Sequence, residues 1–186
     1  FYSAFTYFLG FKVNSGEYKL MGLAPYGNAN GERTKKFIEI IKNELIEIKV
    51  DGSIWLNQEY FNYASGLRMV PDKKWEKLFG FPRREGEADM EPHHSDLGLA
   101  IQQVTEDIVI GLAKGIAKET GQRNLCLAGG VALNCVANGI LLREKIFDKI
   151  WIQPAAGDAG GALGAALSTW YLHHNKERIV SKERDS

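Results

Sequence analysis

Two neighbouring glycines, Gly129 and Gly130, separate a short apolar run from a helix-like pattern. The run over 125–128 is typical of a buried strand, and apolar residues recur at helical spacing from Val131 onward. A strand that turns into a helix presents unpaired backbone N–H groups, which suit a phosphate or another anion. Glycine also lets a ligand approach the backbone closely. A tight turn without a ligand explains the same pattern, and this stretch alone does not separate the two interpretations.

A carboxylate follows the next predicted strand. Residues 149–153 predict a strand that ends at Pro154, and Gly157 and Asp158 precede a final helix rich in small residues. In open parallel sheets, ligands bind beyond the carboxyl ends of the strands, so Asp158 and the glycine turn are expected to share a cleft. Asp158 is either the N-cap of the final helix or a ligand of a metal ion that holds phosphate.

A third candidate region is the glycine-rich segment 13–27, which is predicted to be a loop ending in a Pro-Tyr-Gly turn. Within it, Glu17 and Lys19 either pair with each other in a rigid connector or line a ligand site. Two further pairs, His93-His94 and His173-His174, do not have the spacing of metal ligands. Adjacent side chains point in different directions on a helix or a strand, which disfavours a shared metal.

The remaining patterns supply the elements that must position these residues. They predict helices over 1–9, 34–43, 95–120 and 131–144, and strands at 124–128 and 149–153. A hairpin is predicted over 46–56, around Asp51-Gly52. An irregular insertion is predicted over about 59–94, with a mobile section near 83–91. Helices and strands that alternate at short spacing indicate parallel βαβ units. The predicted fold class is therefore α/β, with one mixed sheet that carries the β-hairpin at its edge.

Composition narrows the classes of partner. The 186 residues include 23 Lys+Arg and 23 Asp+Glu, and this zero net charge argues against nucleic acid as a partner. Cys126 and Cys135 are predicted to be buried small hydrophobes in a reducing compartment. No run is long enough to span a membrane and no secretory signal is visible, so a cytoplasmic location without a membrane partner is predicted. The aromatic opening at Phe1 predicts a fragment of a longer protein.

Three stretches together resemble the nodulation-protein-type carbamoyltransferases. They are 2–11 with 15–27, 127–135 and 153–164, in that order. The likeness covers nearly the whole chain and is weakest at 60–95 and after 175. The resemblance implies an actin-like ATPase (ribonuclease H-like) fold shared with the tRNA threonylcarbamoyl-transfer enzymes. It implies that 1–175 form the second lobe of that domain and 176–186 a charged tail, with the first lobe and a C-terminal adenylate-forming domain absent.

The resemblance also implies an activity. Such enzymes make carbamoyladenylate from ATP and carbamoyl phosphate, then pass the carbamoyl group to a small-molecule acceptor hydroxyl. The implied nucleotide contacts are Gly129, Gly130, Val131 and Asn134 in the glycine turn, with Glu17, Lys19 and Gly27 near the nucleoside. Asp158 matches the position of a divalent-metal ligand, usually for Fe²⁺.

One departure from the family pattern bears on activity. The family's other metal ligands form a His-x-x-x-His motif in the first lobe, whereas the four histidines here form two adjacent pairs. The chain alone is therefore expected to be catalytically inactive, with at most weak nucleotide affinity. No general base, acceptor or oligomeric state follows from the sequence. Two alternatives remain open, namely threonylcarbamoyl transfer to tRNA and a non-catalytic nucleotide-binding domain of the same fold.

Overall fold

The computed structural model describes residues 1–86 and 88–179. Its helices are α1 (Tyr2–Phe8), α2 (Glu17–Leu23), α3 (Glu32–Ile40), α4 (Asp72–Phe79), α5 (Pro92–Thr120), α6 (Cys135–Glu144) and α7 (Gly160–Ser168). Its strands are β1 (Ile46–Ile48), β2 (Ile54–Leu56), β3 (Asn124–Leu127) and β4 (Lys149–Ile152). Short 3₁₀ turns lie at Ala24–Tyr26, Gln58–Tyr60 and Gly130–Leu133, and π turns lie at Ile41–Leu45 and Thr169–His173. No helix in this described part is both long and apolar enough to cross a membrane.

Helix α5 is the element on which most others pack. The predicted core helix is confirmed, and it begins three residues earlier than the apolar pattern does. Pro92 occupies the first helical position, where its missing N–H costs nothing, and the backbone N–H of Glu91 donates to His94 Nδ1 over 2.9 Å as half of a capping box. The helix ends at Gly121, whose φ of +63° is the left-handed conformation expected of a glycine cap.

An aromatic core fills the space between α1, α4 and the first half of α5. Trp75 is fully buried, and its ring centroid lies 4.8 Å from that of Phe5 and 5.4 Å from that of Phe79. Its indole Nε1 donates to the carbonyl of Tyr60 over 2.8 Å, so the polar edge of this buried ring is satisfied. Trp75 lies within 59–94, the predicted insertion, and this segment is thus a structural part of the core.

The predicted hairpin is confirmed. Strands β1 and β2 pair antiparallel, with Ile46 opposite Leu56 and Ile48 opposite Ile54. Gly52 adopts φ +84° in the turn, as the Asp-Gly pair predicts. The turn lies directly against α5, because a Cβ on Gly115 would come 2.0 Å from the Asp51 carbonyl oxygen. This close contact places the hairpin turn against α5, where only a glycine at position 115 leaves room for it.

The predicted parallel βαβ unit is also confirmed, since β3 and β4 pair in parallel from Asn124–Lys149 to Leu127–Ile152 with α6 between them. The prediction of a single mixed sheet is wrong. Within the described residues β1–β2 and β3–β4 form two separate two-stranded sheets. The hairpin contacts α5 through its turn, and its strands do not lie beside β3, so no hydrogen bonds join the two pairs.

Only one face of the β3–β4 sheet is covered. A small second core of Ala113, Leu141 and Phe147 lies on that face. Cys126 is exposed, and so is Cys135 at the first position of α6, where its Sγ lies 3.9 Å from Met21 Sδ. The prediction that both cysteines are buried is therefore wrong. A short apolar strand is expected to be buried on both faces, but no element among the described residues covers the second face.

Candidate functional site

A cleft of about 430 Å³ lies between the first two helices and the turns that follow β3 and β4. Gly130, Val131, Asn134, Gly157 and Asp158 form one side. The opposite side comes from α1 and α2 and the turn between them, chiefly Tyr2, Ser15, Glu17, Tyr18 and Met21. The two strand ends therefore share one cleft, as their position at the carboxyl edge of a parallel pair predicts.

The glycine turn is open toward the cleft. Gly129 has φ +100° and ψ 164°, a conformation that is essentially restricted to glycine. Its backbone N–H donates to the Ala156 carbonyl over 2.7 Å, which joins the two strand-end turns. A Cβ on Gly129 or Gly130 would have no neighbour within 4 Å, so close packing does not explain these glycines.

Two amides of this turn are available to a ligand. Among the described residues, the backbone N–H groups of Gly130 and Val131 donate to no backbone carbonyl. The predicted helix over 131–144 is divided into the 3₁₀ turn Gly130–Leu133 and α6, so these amides sit at the start of the 3₁₀ turn. Unpaired N–H groups beside open space are suited to bind an anion.

Asn134 holds the turn in place. Its side chain is buried, and its Oδ1 accepts from the Ala137 N–H over 3.1 Å as the N-cap of α6. It also exchanges two hydrogen bonds with Gln102 on α5, of 3.0 Å and 3.2 Å. The side-chain amide of Asn134 thus bonds to α5 and to the start of α6, and these bonds fix the position of the glycine turn relative to α5.

Gln102 and Tyr2 extend this network and were missed by sequence reasoning. The Tyr2 hydroxyl donates to Gln102 Oε1 over 3.1 Å, and Gln102 Nε2 donates to Glu106 over 2.8 Å. Burial raises the pKa of Tyr2, and the carboxylates of Glu106 and Glu17 raise it further. Tyr2 is consequently a neutral hydroxyl at the cleft. A signal was present in the sequence, because Gln102 lies within the predicted core helix, between Ile101 and Val104 of its apolar repeat.

Glu17 and Lys19 are separated by the local structure. The segment predicted as a loop forms α2 and a 3₁₀ turn, and residues two apart on a helix do not face the same way. Glu17 lines the cleft, where its carboxylate accepts from the N–H groups of Asn14 and Gly16 over 3.0 Å and 3.2 Å. Lys19 lines a different cavity. The alternative in which the two side chains pair is not observed.

Gly27 also lies outside the cleft, against α5. A Cβ at this position would come 2.6 Å from the Leu99 Cβ and 2.7 Å from the Ser95 carbonyl oxygen. The close approach of the chain to α5 thus accounts for the glycine. Among the residues predicted from sequence, the cleft brings together Glu17, Gly130, Val131, Asn134 and Asp158, with Gly129 next to them in the chain.

Asp158 is not the N-cap of α7. That helix begins at Gly160 after Ala159, and no side chain caps it. Only the backbone carbonyl of Asp158 has a local role, accepting from the Gly161 N–H over 3.0 Å. Asp158 lines the cleft, and its side chain does not have the capping role that was the alternative to ligand binding.

The described residues do not by themselves complete a metal site. No group of three or more His, Cys, Asp or Glu side chains converges in the part of the chain that the structure covers. Divalent ions require several protein ligands or waters around them. Asp158 offers one carboxylate, and the described residues supply no complete set of ligands around it. His93 and His94 stack 4.0 Å apart between ring centroids and do not line the cleft.

Comparison with known proteins connects this geometry to a family. Residues 1–167 match the family described as "Carbamoyltransferase N-terminus". An uncharacterized protein of Synechocystis sp. is 57% identical over 97% of this chain. Nodulation protein NolNO of Sinorhizobium fredii is 39% identical and nodulation protein NolO of Bradyrhizobium diazoefficiens is 37% identical, each over 81% of the chain.

The matched relatives are much longer proteins. The aligned parts span 28%, 20% and 24% of the Synechocystis, Sinorhizobium and Bradyrhizobium proteins, respectively. The match to the family includes the glycine turn, Asp158 and both helices on the opposite side of the cleft. On this match, the chain belongs to the carbamoyltransferase N-terminus family.

Proposed function

We propose that this chain forms the nucleotide-facing side of a carbamoyl-transfer site in a longer protein. One observation carries the proposal. Two backbone N–H groups without a described backbone acceptor, those of Gly130 and Val131, line the same cleft as Asp158, whose side chain does not cap α7. Family membership supplies the reaction class. In the complete protein, carbamoyladenylate made from ATP and carbamoyl phosphate passes its carbamoyl group to an acceptor hydroxyl, and AMP leaves.

The amides and the surrounding side chains have distinct roles in this proposal. The Gly130 and Val131 N–H groups donate to phosphate oxygens of the nucleotide, where fixed dipoles stabilise negative charge without reorganisation. Exposed apolar groups of Tyr18 and Val131 offer surface to the nucleoside. Tyr2 stays protonated and donates its hydrogen bond to Gln102. Asn134, through its own bonds to Gln102, holds the glycine turn in position relative to α5.

We propose Asp158 as one ligand of a divalent cation, with Fe²⁺ as the expected metal. A bound cation of this kind would polarise the phosphate oxygens of the nucleotide. The described residues supply no further set of ligands, so the remaining ones are expected from other parts of the protein. The chain's own contribution is then to orient the nucleotide, and the chain alone is expected to be inactive.

The replacement Asp158→Ala in the complete protein tests this proposal. We expect carbamoyl transfer to fall at least about 100-fold, comparable to the loss of a key electrostatic group, while carbamoyladenylate formation continues. The two half-reactions are measured separately, by carbamoylated product and by ATP-dependent pyrophosphate release. Asp148→Ala, at an exposed carboxylate outside the cleft, is the matched control. Unchanged transfer by the Asp158 variant would contradict the proposal.

A further inference from the structure

A second cavity, of about 630 Å³, is lined by cationic side chains. It lies between the end of α1, the start of α2 and the segment around residue 84. Lys12, Lys19, Arg83 and Arg84 line it, and no described lining residue is acidic. Tyr7 and Phe11 add aromatic surface. A concave surface with one sign of charge concentrates ions of the opposite sign.

Arg84 is the unusual member of this group because it is buried. Its side chain is only 8% exposed, and its Nε donates to the Leu9 carbonyl over 2.7 Å. Nη1 donates to the Ala88 carbonyl, and the guanidinium lies 5.2 Å from the centroid of the Phe11 ring. Among described residues, no carboxylate reaches ion-pair distance of Arg84. A buried charge without a counter-charge is costly, so an anion here would relieve that cost.

The other three cations differ in how far they are neutralised. Arg83 forms ion pairs with Glu85 at 2.6 Å and with Asp72 at 3.7 Å, so its charge is already balanced by carboxylates. Lys12 and Lys19 are exposed, and neither takes part in any ion pair of the described residues. The cavity therefore holds the guanidinium of Arg84 in a fixed orientation and two exposed ammonium groups, and none of the three has a described carboxylate partner.

We propose that this cavity binds a small phosphate-bearing anion. Guanidinium and ammonium groups together match a phosphate, because charge-assisted hydrogen bonds to its oxygens are among the stronger ones in proteins. The Phe11 ring borders the same space and would contact an apolar or planar part of the ligand. The site is separate from the cleft at Gly130 and does not depend on the proposed carbamoyl transfer.

Inorganic phosphate, titrated into the 186-residue chain by calorimetry at low ionic strength, is the test. We expect phosphate binding whose affinity is about 10-fold weaker in Lys12→Ala and in Lys19→Ala, the loss typical of one charge-assisted hydrogen bond. Lys36→Ala removes an exposed lysine from α3, outside the cavity, and should leave the affinity unchanged. Both cavity lysines are exposed, so the variants should fold, which circular dichroism verifies.

Several results would overturn the proposal. Equal losses in Lys12→Ala and Lys36→Ala would mean diffuse surface attraction, and acetate binding as tightly as phosphate would exclude a phosphate site. Phosphate binding that is unaffected by either cavity lysine would locate the anion elsewhere, for example at the glycine turn. Glu87, whose placement lies outside the described residues, adds a final check. If phosphate binds only to the Glu87→Gln variant, the carboxylate of Glu87 competes with the anion, and the proposal is overturned for the native chain.

Discussion

The two ends of α5 pack in different ways. Among the described residues, its first half belongs to a core of twenty buried apolar residues, in which aromatic rings from α1, α3 and α4 pack against one another. Its second half contributes Ala113 to a smaller core, in which Leu141 and Phe147 are the other buried members among the described residues. Helix α7 has no buried residue at all. One helix therefore joins a closely packed region, 1–108, to a βαβ region, 109–173, that is covered on one side.

This difference explains where the candidate site lies. The glycine turn belongs to the thinly covered βαβ region, whose backbone amides and Asp158 remain accessible. The packed region supplies the rigid opposite side through α1 and α2. Functional loops commonly sit on the less stable part of a fold, since a ligand must be able to reach them. The hydrogen bonds between Asn134 and Gln102 connect the two regions.

The largest expected effect breaks the packed region. Trp75→Ala removes a fully buried ring, and we expect the free energy of unfolding to fall by about 3–5 kcal/mol. Trp151→Ala is the matched control, because this tryptophan on β4 is 54% exposed, and its loss should cost less than about 1 kcal/mol. Urea unfolding followed by circular dichroism measures both. Equal losses would show that the two regions do not differ in packing.

A smaller effect is the loss of folding stability at low pH. Burial, and to a smaller extent the positive charges of His93 and Arg84, together lower the pKa of His94 to about 4. The unfolded chain protonates this residue near pH 6.5, so stability present above that pH is lost as pH falls toward 4, by at most about 3 kcal/mol.

The replacement His94→Gln isolates this contribution, since glutamine can keep the capping-box contact to Glu91. We expect the slope of unfolding free energy against pH between 6.5 and 4 to decrease in this variant. The control His173→Gln, in the exposed final turn, should keep the wild-type slope. An unchanged slope in His94→Gln would mean that His94 does not couple acid to stability.

The smallest effect loosens the connection between the regions. Asn134→Ala removes the N-cap of α6 and the partner of Gln102, and we expect a loss of about 1–2 kcal/mol. Hydrogen exchange should accelerate in α6 and change little in α1. Asn124→Ala, at an exposed position of β3, is the control. Equal acceleration in α1 and α6 would show that the two regions unfold as one unit.

The sequence predicted the elements that are encoded locally. The period of apolar residues identified α5, and Asp51-Gly52 identified the hairpin, since both depend on a few neighbouring residues. The loop prediction over 13–27 was wrong because its glycines and Pro25 were given more weight than the helical stretch Glu17–Leu23. Packing against α5 stabilises that helix, and no local pattern reports such a contact.

The candidate site divides in the same way. The glycine turn and Asp158 were predicted from strand ends, because the direction of parallel strands brings those ends together. The bonds between Asn134 and Gln102, 32 residues apart, could not be inferred from spacing. Nor could the sequence reveal that Lys19 faces a separate basic cavity, since that depends on how α2 is rotated against its neighbours.

By itself, then, the sequence determined which segments become helices, strands and turns at most positions, and that a glycine turn and a carboxylate end two parallel strands. These features follow from backbone preferences and side-chain periodicity, which act over a few residues. Only the tertiary structure decided which polar side chains share the cleft and which face of β3–β4 stays uncovered. Those outcomes depend on how distant helices pack and on which buried polar groups find partners, and both are set by the whole chain at once.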